Sequence, residues 1–64
     1  MRTLNVESLR GLPEATAISK IQSAGFRSRV ISRDGKYIVT TKDFRVDRVN
    51  LQINNGRVTQ VSLG

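Results

Sequence analysis

Apolar residues follow two different periods along the chain, and the change between them divides it into elements. In GLPEATAISKIQSAGF, Ala17, Ile18, Ile21 and Ala24 fall three or four residues apart and share one stripe, while Ser19, Lys20 and Gln22 face water. Pro13 suits a first helical position, Glu14 sets a negative charge at the positive end of the helix dipole, and Gly25 suits a left-handed stop. The pattern predicts one helix over 13–24, about three turns long. From Phe26 the period becomes two. In FRSRVISR, Phe26, Ser28 and Val30 share one side and Arg27, Arg29, Ile31 and Arg33 the other, a half-buried strand with an arginine-rich outer face. A stronger strand follows further on, with Val49, Leu51 and Ile53 pointing one way and Arg48, Asn50 and Gln52 the other. Asn55-Gly56 suits a two-residue hairpin turn, and VTQVSLG returns as the last strand. Val58 and Val61 cannot share a face of a regular strand, so a bulge or an early end to the pairing is expected there. The opening MRTLNVESLR has scattered apolar positions and reads as an extended lead-in.

These elements predict an α+β unit in which Ile18 and Ile21 of the helix stripe meet Val49, Leu51 and Ile53 of a small sheet. Residues 34–46 admit two readings. Asp34-Gly35 is a turn pair and Tyr37 to Thr41 is rich in strand formers, which favours a hairpin. The other reading is a long connection joining two parallel strands without a helix, a kind of loop that is uncommon in compact domains and usually functional.

The 64 residues make one domain, 1–64. A chain of this size buries only about 60% of the surface its unfolded form exposes. With no cysteine and no histidine, neither disulfides nor the usual zinc ligands are available, and the fold must rest on apolar packing. The same gap removes the common nucleophile-and-base pairs. The five acids are scattered without paired spacing, and there is no glycine-rich phosphate loop. The sequence therefore reads as not an enzyme, with no catalytic residue, metal or cofactor expected. No apolar run approaches the length of a membrane span, and the opening residues lack the apolar core of a signal peptide. The expectation is a cytoplasmic monomer with no membrane partner, secretion of a processed form being left open.

Charge narrows the partners. Eleven Lys and Arg against five acids give +6, a field that favours acidic partners, although a basic surface also serves solubility alone. Arg27, Arg29 and Arg33 on one strand face could track phosphates, so a small basic nucleic-acid-binding protein is one reading; Tyr37, Phe26 and Phe44 offer no evident stacking platform for it.

A second reading comes from TKDFRVDRVNLQI…NGRVTQVSLG, preceded by LRGLPEATAISKI. These segments resemble the potato inhibitor I superfamily of serine-protease inhibitors, and most closely its small bacterial relatives. The similarity covers residues 9–64 and is most specific at Thr41-Lys42-Asp43-Phe44-Arg45-Val46-Asp47-Arg48. The resemblance implies a helix on a small mixed β-sheet, with a long exposed loop joining two parallel strands and a C-terminal hairpin, and so favours the long connection at 34–46. It further implies inhibition by substrate-like insertion of a reactive loop, Thr40, Thr41, Lys42, Asp43 and Phe44, into a protease cleft, with Lys42-Asp43 as the scissile bond. Arg45, Arg48 and Asn50 would support that loop, Thr41 and Asp43 being tied to Arg48 behind it. A lysine at the pocket position suits enzymes whose pocket carries a carboxylate, so the implied partner is a trypsin-like, or else subtilisin-like, serine protease. In this chain Asn50 stands where plant members carry a second arginine, and Gly35 lies further from Lys42 than in those members, which implies a longer loop. The same resemblance is compatible with a scaffold used as a non-inhibitory interaction module.

The loop residues also have plainer readings. Lys42 reads as an exposed lysine without a role, and Asp43 and Arg48 as a surface ion pair worth about 0–1 kcal/mol. Phe44 reads equally as an aromatic covering the sheet edge, and Arg45 and Asp47 as solvated charges at the entry to a strand.

Overall fold

The computed structural model describes residues 4–38 and 40–64; residues 1–3 of the lead-in and Val39 of the strand-forming run lie outside the described residues. A 3-10 turn η1, Val6–Leu9, precedes helix α1, Glu14–Ser23, and four strands follow: β1, Arg27–Arg33; β2, Lys36–Tyr37; β3, Arg48–Asn54; and β4, Arg57–Leu63. They form one mixed sheet in the order β2-β1-β3-β4, with β1 parallel to β3 and the other two pairs antiparallel. Among the described residues no helix is long and apolar enough to cross a membrane.

The helix runs as its apolar stripe dictates. Ala17 and Ile21 are fully buried, Ile18 packs beside them, and all three meet Val49, Leu51, Ile53 and Val58. The helix stops where expected. Gly25 adopts a left-handed φ of 85°, its N–H donates to Gln22 O, and the Phe26 N–H reaches back to Ile21 O, so the orphan carbonyls of the last turn are satisfied.

From Asn5 onward the lead-in is not extended. Asn5 caps η1 by accepting from the Glu7 N–H at 3.2 Å, and the turn drives Leu9 into the core, where it is completely buried. The chain then runs antiparallel to the start of β4, with Gly11 N donating to Val58 O at 2.8 Å and Val58 N to Leu12 O at 2.9 Å. This pairing covers part of an edge strand that would otherwise present open backbone groups.

Residues 34–46 follow the long connection, preceded by a tight turn and a strand that ends at Tyr37, so Thr40 and Thr41 do not continue the hairpin expected from their strand-forming character. Asp34 and Gly35, with φ of 53° and 80°, make a tight turn into the two-residue strand β2. From there an exposed connection returns to the start of β3, parallel to β1. Asn55 and Gly56 repeat the left-handed pair, φ 53° and 76°, in the C-terminal hairpin. The two turns lie side by side, the Asp34 carboxylate accepting from the Asn55 N–H at 2.8 Å.

Two bulges shape the sheet. One separates Gln52↔Gln60 from Ile53↔Val58 and places Val58 in the core with Val61 packed against it, as the spacing of the two valines required. The other lies in β1 between Val30 and Ser32. It moves Arg33 from the face of Arg29 to that of Ile53, so Arg33 reaches Glu14 of the helix at 2.5 Å rather than continuing an arginine stripe.

Candidate functional site

The polar face of the sheet, opposite the helix, carries Arg29, Arg48 and Asn50, and residues 40–45 lie over it, all of them exposed. Arg48 is only 9% exposed because the loop and the end of β4 cover it. Its Nη2 donates to Asp43 O at 2.8 Å and to Gly64 O at 2.7 Å, and stands 3.7 Å from the Asp43 carboxylate. One guanidinium thereby ties the loop to the last residue of the hairpin, as a planar donor with several N–H groups can. Arg48 Nε is buried without a hydrogen-bond partner among the described residues.

A second arginine holds the loop from β1. Parallel pairing sets Arg29 beside Asn50, and Arg29 Nε donates to Asn50 Oδ1 at 2.9 Å. With the guanidinium so oriented, Arg29 Nη1 reaches Thr41 O at 3.3 Å. The main-chain oxygens on either side of Lys42 are thus each taken by an arginine from the sheet. Thr41 is not tied to Arg48: its hydroxyl donates to the Asp43 carboxylate, whose other oxygen accepts from Arg45 Nε at 3.1 Å.

Gly64 completes the underside. Its main-chain oxygen accepts from Arg45 N at 3.1 Å as well as from Arg48, and its N–H donates to Arg48 O. A Cβ built on Gly64, whose φ is 139°, would stand 3.3 Å from both Asn50 Nδ2 and Phe44 Cδ2, so the glycine lets the chain pass closely beneath the loop. Phe44 itself is 71% exposed.

The Asp43 carboxyl is lowered from its usual 3.8 to about 2, chiefly by the hydrogen bond from the Thr41 hydroxyl and then by its own backbone N–H. Partial desolvation opposes this, and the positive charge of Arg48 and the hydrogen bond from Arg45 reinforce it.

No protein-family model matches this chain, and no curated protein or solved structure matches it significantly.

The structure therefore gathers Thr41, Asp43, Arg45, Arg48 and, through Arg29, Asn50 into one network, with Thr40, Lys42 and Phe44 exposed beside it. Among the described residues no hydrogen bond or ion pair holds the Lys42 side chain. Two members, Arg29 and Gly64, were not assigned a supporting role by the sequence. Arg29 alternates like any outward strand residue, and its part follows only from the parallel register with Asn50.

Proposed function

We propose that this chain is a serine-protease inhibitor that presents residues 40–44 to a protease cleft, with Lys42 entering the specificity pocket and Lys42-Asp43 as the scissile bond. The observation that carries this reading is the grip on either side of an unheld lysine: Thr41 O on Arg29, Asp43 O on Arg48, and Lys42 exposed between them. A loop ordered in advance loses less freedom on binding, a cost of about 0.5–1.5 kcal/mol per immobilised side chain. Because its braces come from β1 and β3, a cut chain would keep both new ends near their original positions. That favours slow cleavage and retention in the cleft over release.

The surroundings support a protein partner. Four of the five large hydrophobic residues exposed among the described residues, Tyr37, Ile38, Phe44 and Val46, lie within or beside the loop. Exposed large apolar side chains near polar ones are compatible with a protein-binding surface. The nucleic-acid reading loses a member of its arginine stripe, since Arg33 turns to the helix face and pairs with Glu14.

The pocket residue provides the test. Lys42→Ala is expected to abolish inhibition of trypsin without changing thermal stability, and Lys42→Leu to shift inhibition toward enzymes with apolar pockets. Equal inhibition of trypsin by the parent chain and Lys42→Ala would rule the reading out.

A further inference from the structure

Beneath the loop, against the start of β1, an open cleft of about 740 Å³ is lined by Arg27, Arg29, Lys42, Arg45 and Arg48. Two side-chain carboxylates stand near these five cations, Asp43 in the lining and Asp47 beside Arg27, so cationic side chains outnumber acidic ones there. Neither acid neutralises the cleft. The Arg27–Asp47 approach is 3.9 Å, with the arginine 76% exposed, and the single Asp43 carboxylate is shared between Arg45 and Arg48.

The guanidinium groups converge. Arg29 and Arg48 hold main-chain oxygens only two residues apart, and Arg45 and Arg48 both lie within 4 Å of one carboxylate. Each guanidinium carries five N–H donors in a planar fork, and the bonds made to the loop leave most of them unused. Clustered forks of this kind match a tetrahedral anion better than they match a single carboxylate.

We propose that this cleft binds a phosphate or sulfate group, held by Arg27, Arg29 and Arg45. Occupancy of this cleft and inhibition through Lys42 are distinct readouts, although both involve the loop. Arg27 separates them experimentally, because it lines the cleft and makes none of the described hydrogen bonds to residues 40–45.

The test is a titration of the whole chain with inorganic phosphate, followed by amide and arginine Nε NMR, with sodium chloride added to hold ionic strength constant. Saturable shifts are expected at Arg27, Arg29, Arg45 and the 41–43 amides. Arg27→Gln should weaken binding about tenfold, the loss of one charge-assisted contact, while trypsin inhibition is unchanged. Shifts reproduced by chloride alone, shifts centred elsewhere, or Arg27→Gln binding phosphate as the parent does would each overturn the proposal. A short single-stranded oligonucleotide distinguishes a free from a polymer-borne phosphate. Displacement of the oligonucleotide by phosphate at these residues supports the site, and oligonucleotide binding indifferent to Arg27→Gln contradicts it.

Discussion

Arg29 Nε donates to Asn50 Oδ1 at 2.9 Å, across the one parallel pairing in the sheet. Asn50 therefore aims an arginine from the neighbouring strand at the loop, where it grips Thr41 O. Under the inhibitor reading, this pair does the work that the resemblance would assign to a second arginine on β3.

Removing the orienting residue should loosen the loop without dissolving the fold. Asn50→Ala frees Arg29 and forfeits a partly buried hydrogen bond to a charged group, an effect of about 1.5–3 kcal/mol on the ordered loop, or roughly tenfold or more in the rate at which trypsin cuts it. Arg29→Ala should match it, and the double variant should add little, since both act through one contact. Cleavage rates that multiply in the double variant would show that the two residues act independently.

Arg48 is the more demanding position. Arg48→Lys keeps the charge but not the fork, and a single ammonium is not expected to reach both Asp43 O and Gly64 O as Arg48 Nη2 does at 2.8 and 2.7 Å. Faster amide hydrogen exchange at Arg45 and Gly64 is the expected result, because their N–H groups belong to the same junction. Unchanged protection at both amides would remove Arg48 from the role given to it.

The pH dependence follows from Asp43. Its folded-state carboxyl titrates at about 2, below the ordinary 3.8. A group depressed on folding contributes stability that is full above its unfolded value and lost as pH falls through the folded one, so the loop should loosen between about pH 4 and pH 2. Carboxyl-carbon NMR should place the Asp43 midpoint near 2, and Thr41→Val, which removes the leading cause, should raise it toward 3.8. An Asp43 midpoint already at 3.8 in the parent chain would contradict this network.

The N-terminal segment tests the core. Leu9 is wholly buried, so Leu9→Ala should cost about 2–5 kcal/mol, as a large-to-small change in a packed interior does. A merely decorative lead-in would leave the denaturation midpoint where it was.

Much of this was legible in the chain. Val49, Leu51 and Ile53 alternate cleanly and are the centre of the core, and the Asn55-Gly56 turn and the Gly25 helix stop behave as their backbone chemistry demands. What escaped depended on contacts distant in sequence or on interruptions of period. Arg33 was assigned the wrong face because a bulge at 30–32 leaves no trace in hydropathy. Residues 6–9 are too few to display a helical period, although Asn5 followed by Glu7 and Ser8 carries the signal of a capped turn. The role of Arg29 needed the register between β1 and β3, which no local pattern encodes.

An inhibitory loop must be held firmly enough to resist being consumed as a substrate. This hold is tested most directly by mixing the protein with an equimolar amount of trypsin and following enzyme activity and the intact mass of the chain together over time. Activity is expected to stay suppressed while the chain remains intact or is slowly cut only between Lys42 and Asp43. Rapid cutting after Lys42 with trypsin activity undiminished would contradict the inhibitor reading.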